Sequence, residues 1–495
     1  MKKSRIFWAV AVLPLFVSTL FAQLPDKSVM SEAYWKIWND DVQKQIDQRI
    51  EQYRKADAEV TLSDVKPGTD VQVQQISHEF IFGAHIFNFN QLGTHERNER
   101  YKALYGSLFN SASIAFYWKK FEPEPDKPRF QEEYRDTEEY WNNSKEPKQE
   151  FHWRRPASDP VVAFCESKGI RLHGHTIVWG NRKWQHPEWL MENYCSPEAA
   201  KAFSIDRKEL YKKTADEIYA ICPKYFDEME RRMLGRISDL AKYYGNRLHS
   251  WDVVNESAVD FHGNVETGEK MGKSAYGLMP SDYTYKAFVL AGKAFPAEVK
   301  LNINDYANNQ NYANQTKQLL EKGCKIDIMG SQMHLFNPKQ CLDIAEGKAT
   351  LTPDGIWNTM ETLSQCDLPI HLSEITITAP NDDYRGRQIQ ANIARNLYRM
   401  WFSIPKMMGI TWWNVVDDCG APGEPTTSGL FTRNMEPKPS YEALHQLINV
   451  EWKTSFTQKA ETSDVALKFR GFKGKYRVTW TDQSGATKSK EIVVH

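Results

Sequence analysis

What this sequence lacks narrows the reading first. Its 63 lysines and arginines are matched by 64 aspartates and glutamates, leaving a net charge of −1. Without a basic excess there is no electrostatic footprint for nucleic acid. Seven cysteines (Cys165, Cys195, Cys222, Cys324, Cys341, Cys366 and Cys419) stand singly, none in a C-x-x-C pair. That spacing argues against structural zinc and thioredoxin-type chemistry. The odd count leaves at least one thiol or an intermolecular link. A chain of 495 residues can bury a core large enough to fold without cross-links, so scattered buried thiols are the expectation. The apolar run at 6–21 is short for a membrane span. It follows Lys2, Lys3 and Arg5 and ends at Ala22-Gln23, which predicts a secretory signal peptide over residues 1–22. The mature protein is then expected to be secreted or periplasmic, with no stable membrane span. No cysteine follows the cleavage point, against a lipoprotein.

What the chain has in plenty is aromatic surface: 13% of its residues, including 16 tryptophans. A large core uses such residues; so does a sugar site, because indole offers a flat apolar face with one polar edge. Trp35, Trp38, Val42, Ile46, Ile50 and Tyr53 recur at helical spacing and predict one amphipathic helix over 31–53. Alternating runs at 58–62 and 71–75, joined through Lys66-Pro67-Gly68, predict a hairpin. Eight strand-like runs follow, at 80–87, 111–118, 171–179, 249–256, 299–306, 327–334, 369–377 and 409–415. Helical stretches such as 210–244 and 282–294 separate most of them. Eight strand–helix units of this length predict a (β/α)8 TIM barrel over residues 80–450, with its site at the C-terminal ends of the strands. The competing doubly wound sheet would carry a Gly-rich phosphate loop after its first strand, and none is present. Residues 23–79 form the N-terminal helix and hairpin. Residues 451–495 hold three further strand-like runs (465–470, 476–482, 487–494) with a turn at Ser484-Gly485. Neither terminal piece has enough strands to stand alone. Both are therefore expected to combine, 451–495 packing with 58–75, as a small accessory β-sandwich with a structural role.

Two of the barrel runs end in or carry a glutamate: Trp251-Asp252-Val253-Val254-Asn255-Glu256 and His371-Leu372-Ser373-Glu374-Ile375-Thr376-Ile377. Two carboxylates facing across one cavity are what glycoside hydrolysis needs, one to protonate the leaving oxygen and one on the opposite face of the sugar. Polar groups gather at the same ends of the other runs: His175 and Trp179, Asn304-Asp305-Tyr306, Gln332-Met333-His334, and Trp412-Trp413-Asn414. A lone strand histidine or tryptophan is usually core. Six successive strands ending in polar or indole groups are not explained by core formation, since unpaired buried polar groups are costly.

These residues carry a resemblance. The 251–256 run is similar to the acid/base motif of glycoside hydrolase family 10, the retaining endo-1,4-β-xylanases. His173-Gly174-His175-Thr176-Ile177-Val178-Trp179 resembles its third strand, Asn304-Asp305-Tyr306 its fifth and Ser331-Gln332-Met333-His334 its sixth. Glu374 falls at its nucleophile, and Phe431 with Pro437-Lys438-Pro439-Ser440-Tyr441 resembles the opening of its last helix. The resemblance implies Glu256 as acid then base and Glu374 as nucleophile, with retention and carboxyls about 5–5.5 Å apart. It implies Asn255 as donor to the sugar 2-hydroxyl, and Gln332 and His334 as groups that keep Glu374 ionised. His175, Trp179, Tyr306, Tyr117 and Trp413 would line the subsites, Trp413 as an apolar platform. With Glu374 anionic, Glu256 would be pushed up and stay protonated as an acid requires. The implied partner is a polysaccharide, xylan or a related β-glycan. The chemistry needs no metal or organic cofactor, and the sequence shows no ligand cluster for one.

The chain departs from the family pattern in places. On the second strand the family's Asn and Lys positions hold Ile114 and Tyr117. The aspartate two residues past the nucleophile is Thr376, a histidine after Trp179 is Gly180, and a second tryptophan falls near Cys419-Gly420. These departures keep open hydrolysis of a decorated xylan or another β-linked glycan, and an inactive sugar-binding barrel. Two stretches look inserted. One is 131–156, with Tyr140, Trp141, His152, Trp153, Arg154 and Arg155, on the active-site side; the other is 191–227, before the fourth strand.

Overall fold

The computed structural model describes residues 24–131, 137–143, 156–203, 210, 212–268, 271–274, 277–348 and 350–495. In chain order its strands are β1 (Lys55–Leu62), β2 (Asp70–His78), β3 (Ile81–His85), β4 (Ser111–Ala115), β5 (Arg171–His175), β6 (Val178–Trp179), β7 (Ser250–Asn255), β8 (Met271–Ser274), β9 (Gly277–Pro280), β10 (Lys300–Asp305), β11 (Ile328–Leu335), β12 (Ile370–Ile377), β13 (Met407–Trp412), β14 (Ser455–Lys459), β15 (Val465–Phe472), β16 (Gly474–Thr481) and β17 (Thr487–Val494). Eight of them pair in parallel in the order β3-β4-β5-β7-β10-β11-β12-β13. Pairing of Gly409–Trp412 with Ile81–Ala84 closes the ring. This is a (β/α)8 barrel. Every residue of β12 is buried, as expected of a parallel strand covered on both faces. The predicted third run is divided at a cis His175–Thr176 peptide into β5 and the two-residue β6. Gly174 is required there, because a Cβ would overlap the Trp251 indole packed across from β7.

The predicted helix over 31–53 is two helices, Glu32–Ile37 and Asp40–Arg54. The Asn39 side chain accepts from Val42 N–H and caps the second. An N-cap side chain stabilises a helix start by satisfying an otherwise orphaned N–H. Their buried face, Tyr34, Trp38, Ile46 and Ile50, rests on the barrel. The Asn396 amide donates to the Tyr34 hydroxyl (2.7 Å), and Arg399 pairs with Asp47 (2.7 Å). The predicted helix over 210–244 is likewise divided, into Ala215–Ile221 and Pro223–Tyr244, with Pro223 opening the second. Cys195 and Cys222 are joined as a disulfide in the inserted stretch before β7. This corrects the expectation of scattered thiols, which holds for the five other cysteines, all buried and outside any disulfide.

The predicted 58–75 hairpin does not form, because β1 and β2 do not pair with each other. β1 pairs antiparallel with β15. β2 lies between β14 and β16, with β17 at the edge. The two sheets enclose one core of Val60, Leu62, Val71, Val73, Leu467, Tyr476 and Val478, separate from the barrel core. β1, β2, β15 and β16 contribute alternate residues, the period-2 pattern of a half-buried strand. Trp480 packs half-buried on this core. Trp452, stacked on Phe402 at 4.1 Å, anchors the unit to the barrel.

Because the two cores are separate, Leu467→Ala, at a fully buried position, is expected to cost about 2–5 kcal/mol in thermal or denaturant unfolding. Turnover by the barrel is expected to stay within about twofold of the parent. A change in activity of the same size as the loss of stability would contradict the separation.

Candidate active site

The C-terminal ends of the barrel strands open into one cleft of about 610 Å³. Its walls include Tyr117, His175, Trp179, Asn255, Glu256, Tyr306, Gln332, His334, Glu374 and Trp413. All ten residues singled out from the sequence therefore line it. Tyr306 stands at the rim, 47% exposed, whereas Glu374 is 4% exposed.

Glu374 sits inside β12, and its two oxygens are held from different strands. Oε1 accepts from Asn304 Nδ2 on β10 (2.7 Å), and Oε2 meets His334 Nε2 on β11 (3.3 Å). His175 Nε2 approaches Oε1 at 3.6 Å. Burial pushes this carboxyl up to about 7, with His175 and the Asn304 hydrogen bond pulling it back and Asp252 adding to the rise. Desolvation thus opposes the expectation of a permanently ionised Glu374. His334 does not offset it as a cation, because burial lowers that ring to about 4, against Glu424 and Glu256, which raise it.

Glu256 follows β7 with a left-handed backbone (φ 53°), its N–H donating to Asn304 O (2.7 Å). That turn aims the carboxyl into the cleft from the strand end. Trp179 Nε1 donates to its Oε2 (3.1 Å), and Gln332 Nε2 lies 3.3 Å from its Oε1. Gln332 therefore engages Glu256, not Glu374. Asn255 Oδ1 receives both Asn304 Nδ2 (2.8 Å) and Gln332 Nε2 (3.3 Å), so three amides connect the two carboxyls.

Beneath the site, Asp252 accepts from His173 Nε2 (2.9 Å) and His175 Nδ1 (2.8 Å) through one oxygen. Burial alone would raise this carboxyl, but the two histidines hold it well below the usual range. With Nδ1 directed at Asp252, His175 presents Nε2 to the Tyr117 hydroxyl (3.0 Å). Trp413 lies against His85, ring centres 3.7 Å apart. Its indole N–H donates to Glu424 Oε1 (3.2 Å), while Glu424 Oε2 accepts from Asn414 (2.8 Å) and the Ala421 N–H (3.0 Å).

Asn304, Asp252 and Glu424 were not singled out from the sequence. Asn304 was visible as part of a polar strand end at the right level. Asp252 was hidden inside an apolar run, and Glu424 in a Gly/Pro-rich loop with no periodicity. Of the inserted 131–156 stretch, the helix Glu138–Asn143 is described. It sits by the loop after β13, with Trp141 under the Arg433 guanidinium (4.5 Å). His152, Trp153, Arg154, Arg155 and the Tyr140 side chain lie outside the described residues.

A closed barrel with two carboxyls bridged by amides at its C-terminal face defines a glycosidase type of site. Residues 130–447 match the model of glycosyl hydrolase family 10, and the chain belongs to that family. The match starts beyond β4 and the turn after it, where Ile114 and Tyr117 depart from the pattern. A protein named putative endo-1,4-beta-xylanase from Caldicellulosiruptor saccharolyticus is 24% identical over 323 residues, 61% of this chain and 91% of that one. Endo-1,4-beta-xylanase A from Halalkalibacterium halodurans is 30% identical over 191 residues, 38% of this chain. The chain spans 42% of that relative, and 22% of the xylanase A of Thermoanaerobacterium saccharolyticum. Among solved structures, xylanase 10B from Thermotoga petrophila in complex with xylobiose superposes with a TM-score of 0.51 at 21% identity, over 75% of this chain and 95% of that one. It shares the fold.

Chemistry that uses Glu374 as a carboxylate requires its ionised form, so kcat/KM should fall as the pH drops through about 7. In Asn304→Ala the acidic limb should move to higher pH, because the lost donor favoured the charged form. A drop in kcat/KM of about tenfold or more should accompany it. A pH profile superimposable on the wild type would contradict the role of Asn304.

Proposed function

We propose that this protein is a retaining endo-1,4-β-xylanase. The observation that carries the proposal is the pair Glu256 and Glu374, lining one cleft from β7 and β12 and tied together through Asn255, Asn304 and Gln332. The xylanase names of its relatives supply the substrate class.

In the first step Glu256 gives its proton to the glycosidic oxygen. Glu374 Oε attacks C1, the C1–O bond breaks, and a glycosyl ester forms with the leaving chain released. In the second step the Glu256 carboxylate takes a proton from water. The water oxygen bonds to C1, and the ester bond breaks to restore Glu374. Inversion twice gives retention. Trp179 holds the Glu256 carboxyl in place by its 3.1 Å hydrogen bond. Asn255 has its Oδ1 committed to Asn304 and Gln332, so its amide nitrogen is the end left to donate to a sugar hydroxyl. Trp413 and Tyr306 offer apolar faces to sugar rings.

A second reading, hydrolysis of a decorated xylan or another β-linked glycan, is favoured by one observation. Tyr117 brings a phenol, not an ammonium, to the cleft wall, with its hydroxyl against His175. The export segment at 1–22 lies outside the described residues. Its support is the Lys2, Lys3, Arg5 cluster and the apolar run behind it, and the protein is read as acting outside the cytoplasm.

Release of short xylo-oligosaccharides from linear xylan by the wild type should fall by about 10²–10⁴-fold in Glu256→Ala and to background in Glu374→Ala. No release from xylan, with release from mixed-linkage glucan or arabinoxylan, would select the second reading. Mass spectrometry of protein recovered from the medium or periplasm should find Gln23 as the first residue; a chain retaining residues 1–22 would contradict the export reading.

A further inference from the structure

His334 and Thr376 face each other across the parallel pair β11–β12, directly opposed in register. The Thr376 hydroxyl is 2.9 Å from His334 Nδ1, and His334 Nε2 is 3.3 Å from Glu374 Oε2. Thr376 is fully buried. The imidazole is fixed in its plane by Phe336, stacked on it at 4.3 Å and 9°, and by the edge of Trp413 at 5.8 Å. A neutral imidazole has one N–H, and the partner of one nitrogen decides which carries it. Threonine is the only one of the two neighbours with a proton to give when Glu374 is ionised.

We propose that Thr376 is a positioning residue: its hydroxyl donates to His334 Nδ1 and so holds the ring as the neutral tautomer whose Nε2–H faces the Glu374 carboxyl. An acceptor in the place of Thr376 would draw a proton onto Nδ1. The ring would then either become cationic or turn a lone pair toward Glu374. The neutral Nε2–H form donates to Glu374 both as the free carboxylate and, on the reading above, as the carbonyl oxygen of the glycosyl ester. No proton has to move on the histidine between the two steps. Burial, which lowers His334 to about 4, keeps the ring uncharged over the range in which Glu374 ionises. The other titratable groups facing the pair are Glu256 from the end of β7, His175 from β5, Glu424 from the loop after β13, and Asp252 below, each acting on His334 or Glu374. None of them bonds Nδ1, so none substitutes for the hydroxyl.

The inference rests on the role proposed for Glu374, but its first measurement needs no substrate. Nitrogen-15 NMR of histidine-labelled protein, with the His334 signals assigned by their loss in His334→Asn, should read the neutral Nε2–H form near pH 7. A cationic ring or the Nδ1–H form in the wild type overturns the proposal. Thr376→Val keeps the shape and removes the donor. It should shift the ring toward a mixture of tautomers and move the acidic limb of kcat/KM upward. It should also lower kcat by about tenfold with KM within about twofold. Thr376→Ser should restore all three. An unchanged tautomer and pH limb in Thr376→Val reduces Thr376 to a packing residue and overturns the proposal. Failure of the wild type on xylan, with the ring in the expected form, would instead count against the substrate reading alone.

Discussion

The site is organised around the cost of burying one carboxyl. Glu374 sits within a strand whose every residue is buried, where a charge is stable only if fixed donors replace its lost water. The barrel supplies one donor from the adjacent strand β11 and one from β10, the strand beyond it. Asn304 on β10 serves one oxygen and His334 on β11 the other. Asn304 can do this in only one orientation. Its Oδ1 accepts from the Ser373 hydroxyl, which leaves Nδ2 for Glu374 and Asn255. The same amide that anchors Glu374 thereby also anchors Asn255, and through Gln332 the chain of contacts reaches Glu256. Geometry at one carboxyl is thus transmitted to the other by rigid amides on parallel strands, not by the loops above them.

A second buried charge supports the first from below. Asp252, fully buried on β7, receives two imidazoles on one oxygen. Removing either partner would leave a buried charge under-satisfied, which is costly. The consequence at the site is orientation, since His175 is held with Nδ1 down and Nε2 up. The field of Asp252 also contributes to the high value of Glu374. The pair of carboxylates therefore works in opposite senses. The lower one is kept ionised by its histidines, and the upper one is made reluctant to ionise by burial, against the donors that surround it.

The architecture was legible because eight apolar runs at strand length, six of them ending in polar or indole groups, leave few alternatives to a closed parallel barrel. The errors fell where sequence periodicity carries no information about partners. The 31–53 pattern continues across Trp38-Asn39 because both helices present the same apolar stripe to the barrel, so the break is marked only by the capping asparagine. The 58–62 and 71–75 runs have the composition of a hairpin, but each finds its partners about 400 residues away, a pairing that no local turn signal encodes. Among site residues, those at strand ends were found. Asp252 was missed because a carboxylate between Trp251 and Val253 is indistinguishable, by pattern alone, from an interruption in a core strand. Gln332 was assigned to the wrong glutamate for a related reason. It stands directly opposite Glu374 in the β11–β12 register, yet its amide turns to Asn255 and Glu256, a side-chain direction that the sequence does not encode.

The departures from the family pattern near Glu374 make sense as a set. Position 117, where the resemblance places a lysine, holds a tyrosine, and position 376, where it places an aspartate, holds a threonine. One change removes a positive charge and the other a negative one, so the balance around Glu374 is kept. Both replacements are hydroxyls, and both contact an imidazole that lies beside that carboxyl: Tyr117 at His175 Nε2 (3.0 Å) and Thr376 at His334 Nδ1 (2.9 Å). Two charged side chains have in effect been exchanged for two neutral hydroxyls, each set against an imidazole beside one buried carboxyl. Neutral hydroxyls cost less to desolvate than ions, which suits a cleft whose walls are this aromatic. They also respond less to salt than charge pairs do. The two exchanges are therefore coupled through Glu374. Restoring a charge at one position alone would unbalance the carboxyl in a direction set by the sign of the charge added, and restoring both would not be the sum of the two single changes.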